Sequence, residues 1–452
     1  MASSAPAATM AVTMASLAAA AAYGGGPVIL LCGIPMLIIA NSYRRLNLWN
    51  ANCGASFEWV GRAINPYLGF MTGWLMLAGY VVGTISVVVV LAPAVLAVFG
   101  STAASAWPNI GISTALIIVM LAIAVAGIRI TARTQVAMAV FEYIVLVGVS
   151  IWGLVFVLTH HAGTFPITSG WFSLSGIGGK GDLAGGLLIA VFMYSGWDAT
   201  IYVNEEVKHR RINPGRAALF AVAILIVLYI LPQMGLQGVS SPAKLQANSA
   251  SALIYVTQVL GGGGWAKLMA FALVLSVIAS TGTGIVASSR ISYGMASHRV
   301  LPLVFGQINR RFNTPAIGSI IIAAILIAAT WAYLLSTSIA NVFTDVVSVT
   351  GLLFACFYVL TALAAIVYYR RHIFSRLWDS IVIGILPLAS AAFLVWVVVK
   401  SLQNAPNAQR YALAGIVAVG LVMMVIARFG MRSEFFRLPR ESAPRNIGQH
   451  RS

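Results

Sequence analysis

A chain that crosses a bilayer must satisfy its backbone N–H and C=O groups from within itself, and a helix of about 20 apolar residues is the unit that does so. This sequence is built almost wholly from such units. Apolar runs fall near 6–22, 26–43, 67–99, 110–127, 135–159, 184–205, 216–237, 264–292, 315–336, 342–369, 378–400 and 411–428. Of its 452 residues 60% are hydrophobic and 8% charged, where a soluble domain carries about a quarter charged. The expectation is an all-α polytopic membrane protein, with about twelve spans in one transmembrane domain over 1–428 and a tail at 429–452.

The net charge of +17 raises the question of a nucleic-acid partner, and its placement answers it. With 44–66 set on the cytoplasmic side and the runs alternating from there, 22 of the 27 basic residues share that side. The other side holds only Lys180, Lys244, Lys267, Lys400 and Arg410. This is the positive-inside pattern of an inner-membrane protein with a cytoplasmic C-terminus. A nucleic-acid stripe has no reason to alternate by loop, so the partner is the lipid bilayer. Cys32, Cys53 and Cys356 are scattered and form neither a disulfide framework nor a metal-ligand spacing. No nucleotide-binding or cofactor motif is present, and His160-His161 is a pair without companions, so an enzyme site is not expected. The tail is expected to be disordered past Pro439.

Two features suggest internal organisation. The start, "MASSAPAATMAVTMASLAAAAAYGGG", lacks the basic flank of a secretory signal. It is short for a span, and Pro6 suits a first helical turn; it reads as the second half of a span whose first half is absent. "ANCGASFEWV" (51–60) and "ANSASALIYV" (247–256) match at a constant offset of 196 and fall on opposite membrane faces. Inverted repeats produce that arrangement. The external segment 242–260 has room for a short surface helix.

Polar groups inside the runs mark candidate chemistry. "LAGGLLIAVFMYSGWDATIYVNEE" (183–206) carries Ser195-Gly196 and Asp198 at mid-span. Either the helix unwinds there to line a cavity, or the small pair is a packing notch. Phe192 and Tyr194 flank the pair, to cap a ligand or to fill core. Glu142 is a proton or cation site facing the bundle, or a carboxylate near the cytoplasmic boundary, paired with Arg133 or hydrogen-bonded. Asp345 sits near the outer end of its run. Ser280, Thr281 and Thr283 offer hydroxyls to an ion or small surfaces for helix packing. Glu205 and Glu206 are placed to pair with Lys208, Arg210 or Arg211.

"SGWDATIYVNEEVKHRRINPGRA" (195–217) resembles the sixth span of the amino acid–polyamine–organocation superfamily of transporters. "SSRISYGMASHRVLPLVFGQINRRFNTPAIGS" (288–319) and "GASFEWVGRAINPYLGFMTGW" (54–74) resemble the end of its eighth span and the entry to its third. Two departures stand out: "SHR" (297–299) replaces a common Asp-Gly pair, and His209 replaces a proline. The resemblance implies the five-plus-five inverted-repeat core of the leucine-transporter type plus two extra helices, the first helix incomplete. It implies a secondary carrier of amino acids working by alternating access, proton-coupled or exchanging. The substrate would sit where spans one and six break: Ser3, Ser4, Ala5 and Pro6, with Phe192, Met193, Tyr194, Ser195, Gly196 and Trp197. Asp198 and Glu142 are then candidates for proton coupling, and Ser280, Thr281 and Thr283 for sodium. A helix starting at Pro6 would present its positive end to a carboxylate, favouring amino acids over decarboxylated amines. The alternatives are a polyamine or organic amine carrier and, in another class, an ion channel, for which only Glu142, Asp198 and Asp345 could line a pore.

Overall fold

The computed structural model describes residues 3–100, 106–126, 128–159, 165, 167–179, 181–309, 311–312, 314–336 and 339–444, with backbone alone at 128–133, 250, 336 and 339–344. Regular structure among them is helical apart from one isolated bridge, Asn309–Thr314. In chain order the helices are α1 (Pro6–Ala21), α2 (Gly25–Trp49), α3 (Ser56–Ala63), α4 (Pro66–Val88), α5 (Leu91–Val98) and α6 (Ala106–Ala126). Then come α7 (Ile128–Thr159), α8 (Leu183–Met193), α9 (Ala199–Tyr202), α10 (Asn213–Leu236), α11 (Pro242–Ala247) and α12 (Ala252–Gly261). The last are α13 (Gly263–Ser297), α14 (Ala316–Ser336), α15 (Ile339–Tyr369), α16 (Leu377–Asp379), α17 (Leu386–Asn404) and α18 (Asn407–Val425).

Every expected apolar run meets a helix or a helix pair. Ten stretches among the described residues are long and apolar enough to cross a membrane, with α1 and α2 joined as one of them and α8 too short to be another. Starts follow local chemistry. Pro6 and Pro66 take first-turn positions where a missing N–H costs nothing, and the Asn65 and Asp182 side chains accept from Tyr67 N and Gly185 N as caps. The run 67–99 is interrupted at Val89–Val90, just before Pro93 in the first turn of α5.

Enclosure is graded across the bundle. In α1, 13 of 16 residues are buried, and the abundant alanines let neighbours approach closely. In α18 only Gln409 and Gly420 are buried, which places it on the lipid-facing periphery. The short surface helix expected within 242–260 is α11, in which only Leu245 is buried, and the rest of the segment forms a second helix that is built in. Ala252, Leu253, Val256, Thr257 and Leu260 of α12 form a buried stripe at helical spacing, packed on α13 and α1. Its offset counterpart α3 is also buried. Each short helix bridges two long ones, α3 between α2 and α4, α12 between α10 and α13, as an inverted repeat would have it.

The tail departs from expectation as far as Pro444, and residues 445–452 lie outside the described ones. Phe435 and Phe436 are buried, and the Phe435 ring stacks on Phe57 with centroids 4.3 Å apart. Beyond Pro439 the backbone is still tied down: Glu441 N donates to Arg62 O and Ala443 N to Tyr368 O, at 2.8 and 2.9 Å. Two adjacent aromatics with an apolar floor beneath them outweigh the polar, proline-containing composition around them.

Candidate functional site

The span containing α8 does break. Residues 194–198 leave helical geometry before α9 begins. Gly196 has φ +90°, and a Cβ there would lie 3.0 Å from both the carbonyl and hydroxyl oxygens of Ser3. Only glycine permits that turn and that approach. The entry to α1 is irregular at the same place, with Ala5 at φ +34°. The break at 194–198 therefore meets the irregular start of α1 at Ser3 and Gly196. Ser280 Oγ of α13 donates to Ser3 O (3.3 Å), while Thr9 Oγ1 and Tyr229 OH donate to Ser4 O (2.8 and 3.1 Å).

A cavity of about 30 Å³ lies at this junction. The breaks and α13 give it Ser3, Ser4, Ser195, Gly196 and Ser280. One face of α4 gives it Gly79, Tyr80, Gly83, Thr84 and Val87, and Phe192 and Phe354 complete much of the wall. Among the described lining residues none carries a charge.

Glu142 stands just behind the cavity. It is 2% exposed, and its Oε1 accepts from Ala7 N (2.7 Å) and Ser276 Oγ (2.9 Å). Ser276 Oγ in turn accepts from Ala8 N (3.1 Å). A single carboxylate from α7 thus caps the positive end of α1 and ties it to α13. The expected pairing with Arg133 lies outside the described side chains, and the alternative of a hydrogen-bonded carboxylate is what Ala7 N and Ser276 Oγ supply.

Asp198 follows the break and is fully buried. Its Oδ1 accepts from Tyr80 OH (2.9 Å) and Tyr358 OH (3.0 Å), and its Oδ2 from Tyr202 OH. One carboxylate so holds α4, α9 and α15 together. Trp197 stacks on Tyr358 with centroids 5.3 Å apart, and Tyr43 meets Trp197 edge-on at 4.9 Å.

Further toward the basic end lies a second layer. Arg290, 3% exposed, pairs with Glu206 at 2.9 Å, and Glu205 accepts from Cys53 N (3.2 Å). The expected pairing of these glutamates with Lys208, Arg210 or Arg211 gives way to partners brought in by the fold. Those three bases are exposed and can stay hydrated, whereas a buried guanidinium needs a carboxylate. Glu58 joins His298 (2.6 Å) and Arg62 (2.9 Å), and Arg62 joins Glu441 of the tail (2.8 Å).

The other sequence candidates divide. Ser3, Ser4, Phe192, Ser195, Gly196 and Ser280 reach the cavity. Ala5, Pro6 and Met193 are buried beside it. Tyr194 turns away and donates to Ile29 O of α2 (3.1 Å). Thr281 and Thr283 donate to their own helix, at Val277 O and Ala279 O. Asp345 accepts from Gln409 Nε2 (3.0 Å), far along α15 from the cavity. Sequence reasoning missed Gly79, Gly83, Tyr80, Tyr358, Ser276 and Arg290.

A span broken at 194–198 that meets the start of α1 around a mid-bundle cavity is the arrangement of a membrane transporter of the leucine-transporter-like class. The family profile described as amino acid permease matches residues 1–425, and the chain belongs to that family, within the amino acid–polyamine–organocation superfamily. It is 22% identical over 324 residues to the arginine/ornithine antiporter ArcD2 of Lactococcus lactis subsp. cremoris (strain MG1363), covering 67% of this chain and 65% of that one. It is 23% identical over 382 residues to the D-serine/D-alanine/glycine transporter of Escherichia coli (strain K12), covering 82% and 79%. Among solved structures, a mutant of the manganese transporter of Eremococcus coleocola shares the fold, with a TM-score of 0.54, 14% identity, and 96% and 95% of the two chains covered.

Proposed function

We propose that this chain is a secondary active transporter that carries an α-amino acid across the cytoplasmic membrane by alternating access, coupled to a proton at Glu142, with its basic end and tail in the cytoplasm. The observation that carries this reading is the Glu142 carboxylate on the first free N–H of α1, beside an uncharged cavity formed where the start of α1 meets the break at 194–198. While Glu142 is ionised, it occupies the positive end that a substrate carboxylate would use. Protonation removes that competitor and weakens the tie between α1, α7 and α13. Proton and substrate then load together, and the bundle is free to rock about the site. Asp198 acts in this reading as a latch: all its described partners are tyrosine hydroxyls that close the route to the basic end. The relatives named for D-serine, D-alanine and glycine, and for arginine and ornithine, support an amino-acid cargo. A relative named as a low-affinity putrescine importer keeps the amine alternative in the test.

The test is uptake into proteoliposomes under an imposed pH gradient, with a counterflow assay alongside. Glu142→Gln should keep counterflow and lose accumulation driven by the gradient. Undiminished accumulation in that variant rules out Glu142 as the coupling group. Its loss in Asp198→Asn instead moves coupling to Asp198, and dependence on a sodium gradient moves it to the Ser280 region. Stronger competition by decarboxylated amines than by amino acids would make the cargo an amine.

A further inference from the structure

We infer that the cavity accepts an amino acid whose side chain is small and uncharged, and that Gly79 and Gly83 of α4 set the upper limit of its size. This rests on the reading of the cavity as the substrate site of an amino-acid carrier, and it goes further by naming the side-chain class.

The two ends of an amino acid meet two kinds of wall. The helix breaks and α13 supply hydroxyls and backbone. Ser4 Oγ is among them: Ser4 is 2% exposed, lines the cavity, and its hydroxyl has no hydrogen-bond partner among the described residues. A buried hydroxyl left so is costly, and a substrate carboxylate or ammonium group would satisfy it. Opposite in character, α4 and α15 supply Gly79, Gly83, Val87 and Phe354, and the two α4 hydroxyls at the cavity are already spent, Tyr80 OH on Asp198 and Thr84 Oγ1 on Tyr80 O.

Charge excludes one class of side chain. The two carboxylates nearest the cavity are engaged: Asp198 accepts three tyrosine hydroxyls, and Glu142 holds Ala7 N and Ser276 Oγ. A side-chain ammonium or guanidinium would be buried beside Phe354 with no described anion free to meet it, which is strongly unfavourable.

Size excludes another. Gly79 and Gly83 lie one turn apart on the same face of α4. A Cβ at Gly79 would come within 3.2 Å of the Phe354 ring, and one at Gly83 within 3.2 Å of Thr350 Cγ2 and 3.9 Å of the Phe354 ring. The space beside Phe354 exists because both positions lack a side chain. At these distances Thr350 and Phe354 must give way by a few tenths of an ångström to admit an alanine methyl at either position. Gly284 is different: a Cβ there would sit 2.1 Å from Thr84 Oγ1, so that glycine serves the packing of α13 on α4. The rival account of Gly79 and Gly83 is likewise close packing, here of α15 on α4.

Counterflow in proteoliposomes of the full chain separates these accounts, with glycine, alanine, serine, leucine, phenylalanine, arginine and putrescine each tested as labelled cargo. Glycine, alanine and serine should exchange, and leucine, phenylalanine and arginine should do so at least about tenfold less efficiently. Gly83→Ala should lower serine relative to glycine by about tenfold, one methyl's worth of discrimination. Val87→Ala should raise leucine relative to alanine. Arginine or phenylalanine exchanging as well as alanine overturns the inference while leaving the amino-acid carrier intact. A Gly83→Ala variant that slows every cargo by the same factor overturns the role of the glycine. Exchange of putrescine but of no amino acid overturns both this inference and the reading beneath it. The wild-type panel decides the side-chain class even if a variant does not fold.

Discussion

The two sides of the cavity are built to different thicknesses. Toward the start of α8 the wall is one helical turn. Phe192 lines the small cavity, and Leu188, about 6 Å back along the helix, lines a second cavity of about 540 Å³ bordered by Ser16, Asp182, Gln246, Ser348, Asn404 and Gln409. Toward the basic end the wall is a series of layers: the Trp197–Tyr358–Tyr43 stack, the Asp198 tyrosine cage, the Glu206–Arg290 pair, and the α3–tail network. A molecule that is thin on one side and thick on the other needs little rearrangement to admit cargo from the thin side. Opening the thick side requires several buried contacts to break together, which suits a step gated by loading.

The comparison can be broken most severely at Asp198. Asp198→Ala leaves three buried phenols without their acceptor. At about 1 kcal/mol each it should cost about 3 kcal/mol, seen as a lower melting temperature in detergent, with transport lost. Glu206→Ala comes next. It strands Arg290 in a buried setting and, since Glu206 is itself 31% exposed, should cost about 2 kcal/mol. Labelling of Cys53 by a membrane-impermeant thiol reagent should rise several-fold as the basic end loosens, and unchanged labelling would separate this pair from the barrier.

A smaller effect is expected from acid. Burial pushes the Glu58 carboxyl up, but His298 and Arg62 outweigh it and hold the group below its ordinary value of 4.5. A depressed carboxyl stabilises the fold fully above that ordinary value, and the contribution is lost as pH falls from there through the folded value. Stability should therefore decline as pH drops below 4.5, and Glu58→Gln should flatten that part of the curve. The thin side supplies the control. Asn404→Ala, an exposed residue bordering the larger cavity, should shift stability by less than about 0.5 kcal/mol; a loss matching that of Glu206→Ala would erase the contrast.

What could be read from the chain beforehand follows from how each feature is encoded. Spans were legible because each is a local apolar run. Asp198 and Glu142 were legible because a charge in such a run is costly and therefore conspicuous. Their partners were not, because a tyrosine, serine or glycine inside a span is ordinary, and nothing local distinguishes Tyr358 or Gly83 from packing residues. Arg290 shows the limit most plainly. Sequence proximity pointed Glu206 at Lys208, Arg210 and Arg211, yet the buried base came from a helix 84 residues away. The tail was misjudged for a related reason: its composition is that of a loop, and only the floor beneath Phe435 gives it a place.

That floor has a consequence for timing. Phe435 lies against Gly61, where a Cβ would come within 2.6 Å of its ring, and Glu441 reaches Arg62 across 379 residues of chain. A ribosome adds the aromatic cover and the anion long after it has released the corner that they fasten. Through all of that interval Phe57 has no ring stacked on it, and Arg62 has only Glu58 for a partner. The helices between are threaded into the bilayer while the α3 corner stands unfastened, and it closes only once residues 435–441 have emerged and docked.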